Sequence, residues 1–518
     1  MNTYHPTQVN ELLQRTPPDS CVYLIGAGGC GMSGLGHLLL DMGYTVAGSD
    51  LLSGPEVEQL RGRGATIHQG HSAEHLLACR PVLIVYSSAI HRQNPELQVA
   101  EQMQLPIVRR AVLLAALLGR QRGICVAGMH GKTTTSALLT YALENLKANP
   151  SYAIGALVPQ LRRHARFVAM PAHADGSKPK TFPGPQVFVI EADESDGTLR
   201  EFAPEHAIIL NIDEEHMDYY VSLEGVCSAF GQFATQTRQS VIYCADDARL
   251  ASLLTGHPNA ISYGFAAHAD YRLVPRPGLS SMGSLEMANR FELWRAGKKL
   301  GDFSLALMGD HNISNAGAVI AMLHQLGYEP VDISWAMAGF RGAARRQQEL
   351  YRDPEYRVFD DYGHHPAEIE ATLLGFKRLG CHRLLVAFQP HRFTRTQILL
   401  KQFATCFHEA DQLWVTEIYA ASEPQISGVN GALLAKAIHD QGQSVTFIPS
   451  LDELRLAVRT AMQPGDLVLF LGAGDITKVA HQLVLELKQS QPPSRWPSVD
   501  PGQYSRTACQ PPSALSDC

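Results

Sequence analysis

The stretch AGMHGKTTTS, residues 127–136, is the feature that most limits how this chain can fold. It follows the apolar run ICV and precedes ALLTYALENL, whose apolar spacing predicts a helix. A buried strand, a glycine turn and a helix start place backbone N–H groups and the positive end of a helix around one anion. Lys132 adds a charge for the outer phosphates, and Thr133 offers a hydroxyl to Mg²⁺. The stretch therefore predicts an α/β domain with a phosphate-binding P-loop, in which Gly128 provides a shorter turn than the general pattern.

A second glycine-rich turn, GAGGCG at residues 26–31, lies about a hundred residues earlier. It fits G-x-G-x-x-G between an apolar strand and a helix, and Asp50 follows at roughly the expected 20-residue offset. The pattern indicates a diphosphate on a helix N-terminus with an acidic residue near a ribose. UDP satisfies it as well as NAD does, and tight strand–helix packing without any ligand stays open as an alternative.

The chain as a whole predicts three α/β modules in series. Its 518 residues exceed what one core usually serves. The strand–helix alternation, typical of parallel sheets, restarts near Gly123 and again after FRGAARRQQEL. We predict domains at residues 1–122, 123–340 and 341–488, and a disordered, proline-rich tail at residues 489–518. The stretch RRHARFVAMPAHADGSKPKTFPGPQ is predicted to be a long surface insertion.

Charge and cysteine usage narrow the choice of partners. The chain has 43 basic and 50 acidic residues, which gives no reason to expect nucleic acid or an anionic membrane as partner. Ten cysteines without a CxxC pair indicate reduced thiols. We see neither a signal peptide nor an apolar run long enough to span a bilayer. These features predict a cytoplasmic protein, and they leave its oligomeric state open between monomer and dimer.

Several strand-like runs end in polar residues. The first two of these runs are followed by Glu191, Asp193, Glu194 and Asp196, and by Asn211, Asp213 and His216. Four carboxylates at one strand end repel one another unless a cation is present, so a Mg²⁺ site beside the P-loop competes with a solvated acidic loop. For His216, metal ligand and surface residue are equally favoured.

Further polar groups come later in the chain. Asn312 and Asn315 lie one helical turn apart and either bind a purine edge or cap the helix through Asn312, and capping is favoured. The loops FDDYGHHP and FQPHRFTRT follow two more strands. They contribute Asp360, Asp361, Tyr362, His364 and His365, which suit an amine or a ribose, and Arg392 and Arg395, which suit a carboxylate or phosphate.

Taken in order, GAGGCGMSG…GSD, GMHGKTTT, EADESDG, NIDEEHMD, DHNISNA, DDYGHHP and FQPHRFTRT resemble the motifs of the Mur ligases. The resemblance runs from Gly26 to about Gly474. It implies three domains: a Rossmann-like UDP-binding domain, a central P-loop ATPase domain and a C-terminal Rossmann-like domain. It also implies that the first glycine turn holds the uridine diphosphate of a sugar nucleotide and that the second holds ATP.

The resemblance further implies a reaction of peptidoglycan precursor synthesis in the bacterial cytoplasm. ATP phosphorylates the carboxylate of UDP-N-acetylmuramate, and the amine of L-alanine attacks the acyl phosphate, giving ADP and phosphate. Phosphorylation supplies the leaving group that a carboxylate lacks, so positioning and charge neutralisation are the enzyme's task. ATP and Mg²⁺ are the implied cofactors.

Residue roles follow by resemblance. The implied catalytic residues are Lys132, Glu191 and His216, and the implied Mg²⁺ ligands are Thr133, Glu191 and His216. The implied ATP-binding residues are Gly128, Met129, His130, Gly131, Lys132, Thr133, Thr134 and Asn312. The implied UDP-sugar-binding residues are Gly26, Gly28, Gly29, Gly31, Met32, Ser33, Ser49, Asp50, Ser87 and Ser88. The implied residues around the amino acid and the muramyl end are Tyr362, His364, Arg392 and Arg395. Met129 departs from the family pattern, which usually has threonine at this position.

Three alternatives remain at this stage. A recycling ligase would add a tripeptide to the same sugar nucleotide, although EADESDG favours the alanine type. A non-catalytic binding subunit would keep the fold without turnover, against which Lys132, Glu191 and His216 argue. A dehydrogenase is suggested by GAGGCG alone, and the P-loop argues against it.

Overall fold

The structure is a computed structural model that describes residues 4–169, 186–195, 197–214, 217–276, 289–378, 381–421 and 423–490. It contains three sheets in chain order, each with a parallel core, and each is flanked by helices. This confirms the α/β class and the series of three domains. The domain boundaries given above stay predictions, and the tail from residue 491 onward lies outside the described residues.

The first domain has a five-stranded parallel sheet of order β3-β2-β1-β4-β5. Its strands are β1 (Cys21–Ile25), β2 (Thr45–Asp50), β3 (Thr66–Gln69), β4 (Leu83–Tyr86) and β5 (Ile107–Arg109). Its helices are α1 (Pro6–Arg15), α2 (Cys30–Asp41), α3 (Pro55–Gly62), α4 (Ala73–Cys79), α5 (Pro95–Gln102) and α6 (Arg110–Leu118). The strand order reverses beside β1, and open sheets of this kind bind ligands at such a point.

The central domain has a ten-stranded sheet of order β15-β14-β13-β12-β11-β10-β6-β9-β7-β8. Its strands are β6 (Arg122–Ala127), β7 (Ser151–Val158), β8 (Arg163–Arg166), β9 (Val187–Glu191), β10 (His206–Ile209), β11 (Val241–Cys244), β12 (Ala260–Gly264), β13 (Tyr271–Arg276), β14 (Asn289–Arg295) and β15 (Lys298–Leu305). Its helices are α7 (Lys132–Asn145), α8 (Met217–Tyr220), α9 (Leu223–Gln236), α10 (Ala248–Leu254), α11 (Asp310–Gln325) and α12 (Pro330–Met337), with a 3₁₀ turn at Thr198–Glu201. Strands β8, β14 and β15 pair antiparallel at the two ends of the sheet.

The third domain has a six-stranded sheet of order β16-β17-β21-β18-β19-β20, in which only β16 runs antiparallel. Its strands are β16 (Gln348–Arg352), β17 (Tyr356–Asp361), β18 (Arg383–Phe388), β19 (Gln412–Val415), β20 (Thr446–Phe447) and β21 (Asp466–Leu471). Its helices are α13 (Pro366–Lys377), α14 (Phe393–Ile398), α15 (Leu400–Phe403), α16 (Gly431–Asp440), α17 (Leu451–Ala461) and α18 (Ile476–Ser490). Among the helices within the described ranges, none is long and apolar enough to cross a membrane.

The first two domains share one hydrophobic core, whereas the third has cores of its own. A single cluster of buried side chains runs from α1 through α2 and α6 to the P-loop helix α7 and on to α12. The third domain has separate clusters on the two faces of its sheet. The two glycine turns are therefore connected by one buried core, which is separate from the clusters of the third domain.

The predicted surface insertion is wrong over its first residues. Arg163–Arg166 forms β8, which pairs with β7, and His164 and Ala165 are buried. The Ser33 hydroxyl on α2 lies 3.2 Å from Nε2 of His164, so this strand joins the central domain to the first. The pattern was hard to recognise because the strand is short and carries two arginines. Residues 170–185 of the stretch lie outside the described part of the chain.

Candidate active site

The P-loop joins the end of β6 to the start of α7, and its backbone is fixed by Asn211 from the end of β10. The His130 N–H donates to Asn211 Oδ1 at 2.8 Å, and Asn211 Nδ2 donates to the His130 carbonyl at 3.0 Å. Gly131 has φ of +85°, a conformation that costs other residues about 1–2 kcal/mol. A Cβ there would also lie 2.6 Å from Asn315 Oδ1. Both observations explain why glycine stands immediately before Lys132.

Lys132 is held in the turn by its own loop and by a buried carboxylate. Its Nζ donates to the carbonyl of Gly128 at 2.6 Å and to Glu194 Oε1 at 2.7 Å. Burial alone would lower the pKa of Lys132, but Glu194 and Asp193 together raise it above its ordinary value. The amine therefore stays positively charged in the absence of nucleotide, as a phosphate site requires.

Glu191, at the end of β9, lies beside Thr133. The Thr133 hydroxyl donates to Glu191 Oε1 at 2.8 Å, and the Gly155 N–H donates to Oε2 at 2.7 Å. A carboxylate and a hydroxyl at this spacing are the oxygen donors that Mg²⁺ prefers, so these two residues fit that ion. His216, the third predicted ligand, lies outside the described residues.

A cavity of about 380 Å³ brings all three domains together. The first domain contributes Gly31 and Arg110, and the central domain contributes Lys132, Thr133 and Glu191. The third domain contributes Tyr362, His364 and Arg395 to the same cavity. Five of the motifs recognised in the sequence therefore meet at one space: the first glycine turn, the phosphate turn, the acidic strand end and both His/Arg-rich loops.

Arg110 links the first glycine turn to the acidic strand end. A Cβ on Gly31 would collide with its guanidinium, so glycine is what lets Arg110 lie against the turn. Its Nη2 donates to Asp193 Oδ2 at 2.7 Å. Burial would raise the pKa of Asp193, but Arg110 and Lys132 outweigh it and hold that pKa at about 2. The pair therefore stays ionised throughout the physiological range.

The third domain brings a neutral imidazole to the cavity. Nδ1 of His364 lies 3.0 Å from the Tyr362 carbonyl, which only accepts, so this nitrogen carries the hydrogen and Nε2 is left as an acceptor. Burial lowers the pKa of His364 to about 3. The guanidinium groups of Arg345 and Arg346 both contact the Tyr362 ring, at 4.9 and 5.0 Å from its centroid. Arg392 is not among the residues that line the cavity, and its Nε lies 4.0 Å from Glu423 Oε1.

A second cavity, of about 390 Å³, adjoins the first, and His130 and Gly131 line it together with His311, Asn312 and Tyr263. Because Gly131 lines both cavities, the P-loop forms the boundary between them. Asn312 Nδ2 donates to the Met308 carbonyl at 2.8 Å. Helix α11 has Gly309 as its N-cap residue, so the interpretation of Asn312 as the helix cap is wrong.

The first glycine turn is hydrogen-bonded to the C-terminal end of β2. The Gly26 and Ala27 N–H groups donate to the Ser49 carbonyl at 2.9 and 3.0 Å, and the Gly28 N–H donates to Asp50 Oδ2 at 2.8 Å. Gly29 is the N-cap residue of α2, as expected for an anion site at a helix start.

The remaining residues predicted for the sugar nucleotide differ in position. The Met32 side chain is buried in the core, and the Ser33 hydroxyl lies 3.1 Å from the Cys30 carbonyl and 3.2 Å from Nε2 of His164. The Ser87 N–H donates to the Ile25 carbonyl at 3.2 Å at the end of β1, and Ser88 is exposed.

Three residues of the site were missed in the sequence. Arg110 belongs to an arginine pair at the end of β5, and Arg346 belongs to another pair just before β16. An arginine pair at the end or start of a strand was the sequence signal that could have indicated them. Glu368 Oε1 lies 3.3 Å from Nδ1 of His130, and it stands at the third position of α13 after the N-cap His365. In the sequence, this spacing from the helix start is the signature of a capping box. A capping box predicts only a local contact at the helix start and does not indicate a contact with the P-loop.

The three domains match three domain families. Residues 22–122 match one described as Mur ligase family, catalytic domain; residues 126–323 match the Mur ligase middle domain; and residues 345–474 match one described as Mur ligase, glutamate ligase domain. Together these matches span most of the chain.

Individual relatives agree along nearly the whole length. The chain is 39% identical over 475 residues to a UDP-N-acetylmuramate–L-alanine ligase of Anaeromyxobacter dehalogenans, with 90% of this chain and 98% of the relative covered. A ligase of the same name from Myxococcus xanthus is 38% identical, with 91% and 96% covered. The crystal structure of a UDP-N-acetylmuramate-alanine ligase from Thermotoga maritima superposes with a TM-score of 0.75 at 28% identity, with 91% and 99% covered. A murein peptide ligase from Psychrobacter arcticus, at 22% identity and a TM-score of 0.63, shares the fold, with 90% and 98% covered.

Proposed function

The chain belongs to the Mur ligase family, and from that premise we propose that it joins L-alanine to the carboxylate of UDP-N-acetylmuramate with ATP as the energy source. The relatives at 38–39% identity carry the name of that activity over nearly their full length. The structural observation that supports the proposal is the cavity lined by all three domains, to which both Gly31 and Lys132 belong.

We assign the first glycine turn to the diphosphate of the sugar nucleotide. The N-terminal end of α2 favours an anion, and Asp50 lies beside the turn to accept from a ribose hydroxyl. Arg110 lies on this turn and also reaches Asp193 in the central domain. It is therefore placed to meet the part of the substrate that extends from the diphosphate toward the P-loop.

We assign the second turn to ATP. Lys132 exchanges part of its contact with Glu194 for the β- and γ-phosphates, and the cavity beyond Gly131 receives the nucleoside. Since Gly131 also lines the three-domain cavity, the γ-phosphate reaches the side on which the muramyl carboxylate arrives. Transfer of the phosphoryl group yields ADP and an acyl phosphate. The fixed positive charge of Lys132 stabilises the charge that develops during transfer.

Thr133 and Glu191 would hold Mg²⁺. Bound there, the ion would neutralise phosphate charge beside Lys132. Neighbouring residues orient the oxygen donors. The Gly155 N–H binds one Glu191 oxygen, and the other Glu191 oxygen accepts from the Thr133 hydroxyl.

We assign the binding of the amino acid, which supplies the attacking amine, to the residues that the third domain contributes to the cavity. The neutral His364 offers Nε2 as an acceptor for an amine N–H, and Arg395, in the same cavity, suits the carboxylate of the amino acid. Attack of the amine on the acyl carbon expels phosphate and leaves the amide. The reaction as proposed takes place in the bacterial cytoplasm, in keeping with the eight cysteines of the described residues, which are all free.

Phosphate release is the direct test. Purified protein receives ATP, Mg²⁺ and UDP-N-acetylmuramate, with alanine, serine, glycine or the recycling tripeptide added in turn. We expect release with alanine and weaker release with serine and glycine, because one small group is worth only ~1–3 kcal/mol of discrimination. Release with the tripeptide alone would favour the recycling ligase, and no release with any acceptor would contradict the proposal.

A further inference from the structure

A third cavity, which takes no part in the ligation proposed above, lies between the central and third domains. It has a volume of about 820 Å³, within the ~300–1,000 Å³ typical of small-molecule sites. We call it the rear cavity, and the residues that characterise it are Arg341, Glu349, Arg352, Arg357, Phe359 and Phe376. Its walls come from two domains, as is common for ligand sites.

The charged wall of the rear cavity has an excess of positive charge. Arg352 on β16 lies directly opposite Arg357 on β17, an arrangement in which like charges repel. Glu349 Oε1 accepts from Nε of Arg352 at 2.8 Å and from Nε of Arg357 at 2.7 Å. With the exposed Arg341, three guanidinium groups and one carboxylate line the space. Burial lowers the pKa of Arg357, and the charge of Arg352 acts in the same direction, so a second anion there would stabilise the cluster.

The rear cavity also has an apolar part, which adjoins the charged one. The Phe359 and Phe376 rings meet edge to face with centroids 4.7 Å apart, and Leu307 and Met308 continue this surface. Cζ of Arg357 lies 4.9 Å from the centroid of Phe359, so charge and ring face adjoin. A ligand that fills the space therefore needs both an anionic group and an apolar body.

Gln347 separates the rear cavity from the nucleotide cavity and lines both. Its Oε1 accepts from the Met308 N–H at 2.9 Å, and its own N–H donates to Asp361 Oδ2 at 2.8 Å. Gln347 is buried and belongs to the walls of both spaces. An occupant of the rear cavity would thus be distinct from the nucleotide and yet contact a residue that the nucleotide cavity shares.

We propose that the rear cavity is a second ligand site, for a small organic anion: a carboxylate or a phosphate monoester carried on an apolar or aromatic body. The guanidinium groups of Arg341 and Arg352 bind the anionic group, and the Phe359 and Phe376 wall receives the body.

Ligand-observed NMR on the full chain tests the proposal, with phenyl phosphate and phenylacetate as probes. The protein is first saturated with ADP, Mg²⁺ and UDP-N-acetylmuramate, so that the other phosphate sites are filled. We expect at least one of the two anions to bind the saturated protein and neutral benzyl alcohol to bind much more weakly. Which anion binds better distinguishes phosphate from carboxylate ligands.

Matched variants locate the binding. Arg341→Gln and Arg352→Gln should each raise the dissociation constant of the probe about tenfold, because each removes a hydrogen bond from a charged group. Arg238→Gln, at an exposed arginine elsewhere in the central domain, should leave the affinity unchanged. The proposal is overturned if neither anion binds the saturated protein, or if both charge-removing variants bind the probe as well as wild type does.

Discussion

The two glycine turns have the same scaffold and different surroundings. Each follows a parallel strand and opens a helix, at α2 in the first domain and at α7 in the second. The first turn is lined by N–H groups, with Asp50 on one side and Arg110 on the other. The second carries Lys132 at its helix start, with Glu191 and Glu194 within hydrogen-bonding distance of Thr133 and Lys132.

In both domains the backbone provides the anion site, and the neighbouring side chains select the chemistry. A turn without a lysine at its helix start binds a diphosphate that does not react. A turn with a lysine and carboxylates that suit Mg²⁺ binds a triphosphate whose terminal group is transferred. Substitutions at each turn should therefore affect one ligand and spare the other.

The largest effect is expected for Lys132→Ala. We expect ligation to fall by about a thousandfold or more, because the substitution removes the lysine charge that the P-loop turn holds. Affinity for UDP-N-acetylmuramate, measured by calorimetry, should stay within twofold of wild type. Lys298→Ala, at an exposed lysine of the same domain, serves as control. Loss of sugar-nucleotide binding in the Lys132 variant would mean that the two turns do not act separately.

Next comes Gly131→Ala. Alanine at φ of +85° is strained and would approach Asn315 Oδ1, so the turn must shift. We expect the dissociation constant for ADP to rise about tenfold, while that for the sugar nucleotide is unchanged. Calorimetry with each ligand measures both, and an equal loss for the two ligands would argue that the change had damaged the shared core instead.

A smaller effect, at the other turn, is expected for Gly31→Ala. The added methyl group meets the end of a flexible arginine, which can move aside, and α2 tolerates alanine at this position. The KM for UDP-N-acetylmuramate should rise several-fold, with the KM for ATP unchanged in steady-state assays. If the KM for ATP rises instead, Arg110 serves the nucleotide rather than the sugar substrate.

The smallest effect concerns Asp193, which joins the surroundings of both turns. Its pKa is about 2 in the folded state and near 3.9 in unfolded chains, so its contribution to stability is present above pH 3.9 and is lost as the pH falls through about 2. Asp193→Asn should therefore lower the free energy of unfolding at pH 7, and the difference from wild type should shrink toward pH 3. Urea unfolding at both pH values measures it. A difference of the same size at pH 3 would show that the loss is not electrostatic.

The sequence predicted the fold and the phosphate-binding turns better than the surroundings of those turns. Strand–turn–helix patterns are local, so the P-loop at Gly131 and the turn at Gly26 could be recognised from neighbouring residues alone. Arg110 and Glu368 act on turns that lie 79 and 238 residues away in sequence, and no local pattern encodes such a contact. Strand β8 was missed because its pairing with β7 and its burial against α2 are tertiary effects that override a polar sequence.

The continuous core shared by the first two domains has a practical consequence for anyone who wishes to express part of this chain. A cut near residue 122 would expose the apolar side chains that pack between α2, α6 and α7, and we expect both halves to aggregate. A cut in the connection around residue 345 passes between separate clusters and would leave the substrate-binding pair of domains intact. The fragment that ends near residue 345 should then report on nucleotide and sugar binding without turnover.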